Sequence, residues 1–149
     1  MPRPYSVDFL DTNTVNITMG GLTSAATIRP AIYDITLGSE AAPVDQSARY
    51  NIERYTAAGT STAVVPQALD PGDPASLASA GENHSVEPTY TAAAILLSFP
   101  LHQRATYRWV ANGPNRELKL PATAANGVGL ITRSVSSAFV VTCTMHFEE

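Results

Sequence analysis

The alternation of apolar and polar side chains predicts that most of this chain is β-strand. It is clearest over residues 135–147, where every second residue is apolar except Ser137 and the residues between are mostly small or hydroxyl-bearing. A period of two is typical of a strand that packs one face on a core and turns the other to water or a neighbour. Such a strand needs pairing partners and a second layer, so we expect the rest of the chain to supply strands. The apolar side chains of this face are Val135, Phe139, Val141, Cys143, Met145 and Phe147.

Shorter segments with the same period predict further strands. The segment 48–56 could also form a helix capped by Ser47, but the β-preferring side chains of Tyr50 and Ile52 favour a strand. The continuous apolar run 92–99 favours a buried strand. Gly20-Gly21 is expected to break a strand, and residues 126–129, Asn-Gly-Val-Gly, to form a turn. The remaining predicted strands lie within 5–10, 15–18, 28–37, 105–110, 117–120 and from 130 onward.

The segment 57–85 is rich in turn-forming residues. Its most distinctive part, residues 69–74, reads Leu-Asp-Pro-Gly-Asp-Pro, in which proline sets φ, glycine takes the strained position and each aspartate can accept a backbone N–H bond. Asp70 and Asp73 could also suggest a calcium loop or an acid/base pair, but the alternating ligands of a calcium loop are missing, so we favour turn capping. We therefore predict a long loop over about 57–85 between two sheet regions.

These patterns predict one domain over residues 1–149. Many short strands separated by Gly, Pro and Asn turns, with hardly any helical period, favour an all-β fold: an antiparallel β-sandwich, jelly-roll-like. We find no internal repeat and no domain linker. We expect an N-terminal arm over about residues 1–11 in addition to the long loop.

The composition points to a surface that is polar but largely uncharged. Charged residues make up 15% of the 149 residues, against about 25% in an average soluble domain, while the hydrophobic fraction of 44% is ordinary. Permanent interfaces are depleted in charge, so other subunits covering this surface would explain the composition, and a neutral-surfaced monomer would explain it equally well.

The charge and hydropathy patterns exclude two classes of partner. A net charge of −4 with no basic cluster argues against nucleic-acid binding, which depends on neutralising phosphates. No run approaches the roughly 20 apolar residues of a membrane span, and the N-terminus has no apolar stretch of signal-peptide length. We expect synthesis in the cytoplasm and no membrane partner.

Candidate catalytic and metal-binding residues are few. Cys143 lies on the apolar face of the last predicted strand, so we expect a buried, inert thiol. His84 in a predicted loop, His102 just after Pro100, and His146 on a polar strand face have no neighbours at metal-ligand spacing. A Ser/His/Asp triad stays open because its members need only meet in space, but there is no nucleophile elbow. We predict no enzyme activity and assign no catalytic, cofactor-binding or metal-binding residue.

Three aromatic residues leave a second type of function open. Tyr90, Tyr107 and Trp109 could form a sugar-stacking surface, as in a carbohydrate-binding β-sandwich module. Two aromatics on one strand face, as Tyr107 and Trp109 are predicted to be, more often belong to the core because of the large area that they bury. We therefore keep carbohydrate binding as the alternative function.

Several motifs resemble a known group of proteins. Taken in order, these motifs cover most of the chain. They resemble a group of small proteins that are encoded among the head genes of tailed bacteriophages. The members of this group look like capsid decoration, or cement, proteins. The resemblance implies an all-β, jelly-roll-like fold, often a homotrimer, on the outer surface of the virion and bridging subunits of the major capsid protein. The motifs are Ile32-Tyr33-Asp34-Ile35-Thr36-Leu37-Gly38-Ser39, Tyr50-Asn51-Ile52-Glu53-Arg54-Tyr55-Thr56 with Gly59-Thr60, residues 66–75, Arg108-Trp109-Val110-Ala111, residues 121–130 and Phe147-Glu148-Glu149.

The resemblance carries no functional residue over, because the group has no site motif to match. It implies that a trimer would gain affinity for the shell through valency and would stabilise the assembled lattice by binding only to it. We expect the capsid contacts in the arm, residues 1–11, and in the loop, residues 57–85. A head–tail adaptor or a fibre tip would be another position in the virion.

Overall fold

The chain folds into two antiparallel sheets that pack face to face. In a computed structural model, which describes residues 1–40 and 42–149, each sheet has six strands. The described residues include no helix, and so no helix that could cross a membrane. The predicted all-β antiparallel sandwich is confirmed. The strands are β1 Pro4–Asn13, β2 Thr18–Thr23, β3 Ala31–Ser39, β4 Ser47–Ala57, β5 Thr60–Val64, β6 Gln67–Ala68, β7 Ser79–Val86, β8 Thr89–His102, β9 Tyr107–Val110, β10 Leu118–Lys119, β11 Gly127–Ser134 and β12 Phe139–Glu148.

The order of strands shows how the chain alternates between the sheets. The first sheet runs β10-β3-β12-β1-β6, with β9 also paired to β3, and the second runs β5-β7-β2-β11-β4-β8. The longest regular pairing joins the two ends of the chain, because β1 and β12 pair without a break from Pro4↔Glu148 to Asn13↔Phe139. The jelly-roll-like assignment stays a prediction, which the repeated crossing of the chain from one sheet to the other supports.

The core lies between the sheets and contains the predicted apolar face of the last strand. Val141, Cys143, Met145 and Phe147 are all buried. This strand begins at Phe139 rather than at Val135 as predicted. The physical reason is that the backbone of residue 137 bonds both to the side-chain oxygen and to the side-chain nitrogen of Gln46, at 2.9 and 3.0 Å, instead of joining the sheet.

The prediction of an N-terminal arm is wrong. Residues 4–13 form β1, which pairs with β12 over its whole length and with β6 at its start. Tyr5, Val7 and Phe9 are buried in the core. The strand that the alternation predicts within residues 5–10 is confirmed, and residues 1–3 lie before β1.

The prediction of one long loop is also wrong. The segment 57–85 contains β5, β6 and most of β7. β7 and β5 extend the second sheet beyond β2, while β6 adds an edge to the first sheet at β1. The alternation was hidden because these strands consist largely of small and polar residues, and β5 is exposed over most of its length. The turn capping by Asp70 is confirmed, since its Oδ1 accepts the N–H of Gly72 at 2.9 Å.

The glycines that were expected to interrupt strands lie inside them. Gly20 is in β2 and Gly127 is in β11. A Cβ on Gly20 would lie 2.3 Å from Cγ of Phe9, and one on Gly127 would lie 2.4 Å from the Tyr55 hydroxyl. Glycine is needed at both positions because an aromatic ring lies against the strand, and this close approach leaves no local signal.

The apolar run 92–99 is a strand, but it is not buried. It belongs to β8, the edge of the second sheet, which pairs with β4. Ile95 is 50% exposed, and Phe99 is the buried residue of the run. A continuous apolar run indicates apolar surroundings on both faces, but it does not show whether a further strand covers the edge.

Candidate functional site

A polar groove lies on the outer face of the second sheet. Arg49, Asn51, Glu53 and Tyr55 alternate along β4 with residues that fill the core, so their side chains lie on the opposite face. Although this is the outer face, Asn51 and Glu53 are only 5% and 4% exposed. Polar side chains this deeply buried require partners, because an unpaired buried charge is costly.

The main partner of Glu53 is Arg133 on β11. Arg133 Nε donates to Glu53 Oε1 at 2.8 Å, its NH2 group donates to Oε2, and Asn51 Nδ2 also donates to Oε1, at 2.7 Å. These bonds to Arg133 hold the pKa of the Glu53 carboxyl below its ordinary value, against the effect of burial. Arg133 NH1 also reaches Asn16 Oδ1 at 3.0 Å. The pair is therefore ionised, fixed in position and neutral overall.

Two tyrosine rings lie beside this pair. Tyr55 and Tyr90 meet edge to face with their centroids 6.0 Å apart, and the Arg133 guanidinium lies 5.7 Å from the centre of the Tyr90 ring. The Tyr55 hydroxyl bonds to Thr23 at 2.7 Å and that of Tyr90 bonds to Thr18 at 2.8 Å. Burial raises the pKa of Tyr55 to about 12 and raises that of Tyr90 as well. Both hydroxyls therefore stay protonated at neutral pH and can donate.

The rings are close to the sheet because the strands beneath them carry glycines. A Cβ on Gly129 would lie 2.3 Å from the Tyr90 hydroxyl, and one on Gly21 would lie 3.1 Å from that of Tyr55. Together with Gly127 they leave the space that the two tyrosine side chains occupy on the outer face of the sheet.

A bulge in β8 forms one wall of the groove. Between the pairs Glu53↔Ile95 and Tyr55↔Tyr90, four residues of β8 lie opposite one residue of β4. Within this bulge Ala93 has a φ of 59°, a left-handed conformation that is uncommon outside glycine. The resulting depression, which we call the Tyr90 groove, has a volume of about 420 Å³ and is lined by Arg49, Asn51, Glu53, Tyr90, Thr91, Ala92, Ala93, Ile95 and Arg133.

A smaller depression of about 210 Å³ lies on the other side of Tyr55. Its lining includes Thr23, Ser61, Ser79 and His84. His84 belongs to β7 rather than to a loop as predicted, and burial lowers the pKa of its imidazole. The tyrosine pair therefore separates two polar depressions on one face of one sheet.

The structure separates the three aromatic residues that were considered for sugar stacking. Tyr107 and Trp109 are partly buried and pack against the core, as expected, and the Tyr107 ring stacks on Phe99 at 4.1 Å between centroids. Only Tyr90 lies in the groove.

Other residues considered from the sequence are dispersed. Cys143 is buried in the core, and burial raises the pKa of its thiol. His102 Nε2 lies 3.7 Å from Asp45, and His146 Nδ1 lies 3.7 Å from Asp34 on the first sheet. Within residues 1–40 and 42–149, no three His, Cys, Asp or Glu side chains group as they would around a metal ion.

Sequence reasoning missed the polar residues of the groove. Arg49, Asn51 and Glu53 alternate with apolar residues, a pattern that indicates an ordinary solvent-facing strand. The one local signal was that Arg49 and Glu53, which carry opposite charges, share this strand face with the Asn51 amide. Tyr55 is the next residue on the same face. Their burial depends on Arg133 and Tyr90, which are distant in sequence.

The outer face of the first sheet has a different character. Its central positions carry small hydroxyl side chains, and Thr144 Oγ1 donates to Asp8 at 2.8 Å across β12 and β1. Near its β9 edge Arg108 forms a two-pronged ion pair with Asp34, at 2.6 Å for the closest atoms. Arg108 holds the pKa of the Asp34 carboxyl below its ordinary value. This face is mainly polar, with Leu10 and Val110 as its exposed apolar side chains.

No protein-family model matches the chain, and neither does any curated protein or solved structure with which it was compared. The function is therefore inferred from the surfaces of the fold and from the motifs of the sequence.

Proposed function

We propose that this protein is a structural protein of a bacteriophage virion, which decorates the outer surface of the capsid as a homo-oligomer and bridges subunits of the major capsid protein. The observation that carries the proposal is the concentration of exposed apolar side chains on the segment between β4 and β8. The resemblance of the sequence motifs to capsid decoration proteins supports the same function.

This segment presents apolar groups from a fixed backbone. Val65, Leu69, Leu77 and Val86 are between 51% and 69% exposed, and they are four of the ten large exposed apolar side chains in the described part of the chain. The N–H of Leu69 bonds to the carbonyl of residue 4, and that of Leu77 bonds to the side chain of Glu149 at 2.9 Å. Burying one such side chain contributes about 1.5–3 kcal/mol, and Leu69 and Leu77 offer this gain together because they bond to the adjacent ends of the chain beside β1 and β12.

The outer face of the first sheet supports the proposed assembly. Few charges would have to be desolvated there, and interface centres are depleted in charged residues. Hydroxyl side chains such as Ser6, Thr36 and Thr142 can bond across an interface without that cost. We propose this face for contacts between copies of the chain, which leaves the apolar segment for the capsid. Several weak capsid contacts per oligomer would then add through valency.

The experiment combines light scattering with co-sedimentation. Heads of the phage that encodes this chain, purified without it, are mixed with the wild-type protein, with a Leu69→Asp/Leu77→Asp variant, or with a Val15→Asp control at an apolar position of similar exposure outside the segment. We expect a mass of three 15.8 kDa chains, saturable binding to heads, loss of binding in the double variant and no change in the control. A monomer that does not sediment with heads would overturn the proposal.

A further inference from the structure

We infer that the Tyr90 groove is a binding site for a neutral oligosaccharide. This function is separate from capsid decoration, since it uses the outer face of the second sheet rather than the apolar segment between β4 and β8. It would give the protein a contact with glycan in addition to any contact with other virion proteins.

The charges of the groove favour a neutral ligand. The carboxylate of Glu53 and the guanidinium of Arg133 neutralise each other, which leaves Arg49 at the rim as the one uncompensated charge among the lining residues. An anionic ligand with several charges would find only Arg49 free to pair with it, because Glu53 already engages Arg133, and a cationic ligand would meet Arg49. Neither charged class is complementary to this site.

The hydrogen-bonding groups favour a ligand with many hydroxyls. Arg49 offers only donors, Asn51 offers donors and an acceptor, and Thr91 offers a hydroxyl that does both. A sugar ring presents hydroxyls that donate and accept around its edge and an apolar C–H face. The partly exposed ring of Tyr90 provides the matching aromatic surface in the same groove.

One buried atom lacks a partner in this groove. Asn51 is 95% buried, and its Oδ1 bonds to no other group in the described part of the protein, although its Nδ2 is held by Glu53. A buried acceptor without a partner is costly and is usually satisfied by water or by a ligand. This oxygen is closed to solvent, so a sugar hydroxyl or a bridging water would satisfy it after a small movement of the side chains around it.

The groove has the dimensions and the rigidity of a ligand site. Its volume of about 420 Å³ lies within the roughly 300–1,000 Å³ that is usual for small-ligand sites. Tyr90 is held at its hydroxyl by Thr18 and at its ring by Arg133, so little side-chain freedom would be lost on binding. The second depression, beyond Tyr55, lies on the same face, so a chain of several sugars would extend in that direction.

The test is a glycan array that carries neutral oligosaccharides of glucose, galactose, mannose and N-acetylglucosamine together with sulfated and uronic-acid glycans. The strongest neutral binder is then titrated calorimetrically against the wild type and three variants. Thr91→Trp fills the groove from an exposed position, Arg49→Ala removes a donor at the rim, and Thr27→Trp is the matched control on an exposed threonine in the turn between β2 and β3. All three positions are exposed, so each variant should keep the fold.

We expect at least one neutral oligosaccharide to bind, with affinity lowered more than roughly ten-fold by Thr91→Trp, lowered less by Arg49→Ala and unchanged by Thr27→Trp. Three results would overturn the inference: no binding across the array, binding of the anionic glycans alone, or equal affinity for the wild type and Thr91→Trp. Since no phage heads are present, these results are independent of the test of capsid decoration.

Discussion

Replacing Gly127 by alanine tests the packing that creates the polar groove. Gly127 has no positive φ, so its backbone already suits alanine. The new Cβ would lie 2.3 Å from the carbonyl oxygen of Leu22 and 2.4 Å from the Tyr55 ring. The ring can move, but the carbonyl belongs to the neighbouring strand β2 and cannot move without disturbing the pairing of β2 with β11.

The magnitude follows from three contributions. Overpacking against a fixed backbone costs about 1–3 kcal/mol. Displacing Tyr55 also loses its 2.7 Å bond to Thr23, which contributes about 1 kcal/mol. Replacing glycine by alanine also stabilises the protein by about 0.4–1 kcal/mol, because alanine lowers the conformational entropy of the unfolded chain. We expect Gly127→Ala to lower the free energy of unfolding by about 2–3 kcal/mol.

Gly129→Ala is the matched control on the same strand. There the close atom is the hydroxyl of Tyr90, at 2.3 Å, which is the far end of a side chain and can swing away at the loss of its bond to Thr18. That loss, of about 1 kcal/mol, is largely offset by the gain in the unfolded state, so the net cost should be below about 1 kcal/mol.

Urea denaturation of the wild type and both variants measures the difference. We expect the midpoint to fall much further for Gly127→Ala than for Gly129→Ala, with similar slopes. If Gly127→Ala is as stable as Gly129→Ala, then the Leu22 carbonyl and the Tyr55 ring do not confine this position, and the account of why the sheet needs glycine here is wrong.

Three further predictions concern individual side chains. Arg133→Met should destabilise the fold by about 2 kcal/mol in denaturant titrations, because it leaves the buried Glu53 carboxylate unpaired, and a second change, Glu53→Gln, should recover most of the loss. Arg133 lowers the folded-state pKa of Glu53, and Arg108 lowers that of Asp34. The stability that these two carboxyls contribute is therefore fully present above their ordinary pKa of about 4, and it is lost as the pH falls through the lower folded-state pKa. Glu53→Gln should therefore flatten the acid limb of a stability profile, and an unchanged limb would contradict this. Cys143 should resist iodoacetamide in the native protein and react fully in denaturant, because it is buried with a raised pKa, and rapid native labelling would contradict its burial.

The central strands could be predicted well from the sequence, whereas the additions to the sheet could not. The alternation over 5–10, 48–56 and 139–147 marks strands whose every second side chain enters the core. β5 and β7 contribute only Val64 and Ala80 to this central packing, and their small and polar residues resemble a loop. Hydrophobic periodicity indicates burial, so it gives no signal for a strand that is held mainly by backbone hydrogen bonds to its neighbour.

The candidate site could be predicted only in part. Tyr90 was one of three aromatic candidates, and the structure selects it because Tyr107 and Trp109 pack against the core. Arg133 carries no local signal, since its role comes from its side-chain bond to Glu53, eighty positions away in the chain. Contacts at such separations depend on which strands become neighbours, and the local pattern does not specify that.

The class of fold, the inner faces of the principal strands and the low charge content of the surface follow from the sequence alone, because they depend on the local alternation and the overall composition. The assembled fold was needed to find that Gly20 and Gly127 lie within strands beneath aromatic rings, that β8 forms an edge, and that Asn51 and Glu53 are buried in a groove. The physical reason is that each of these features depends on strand neighbours and on rings that approach from another part of the chain, and both are fixed only when the sheets assemble.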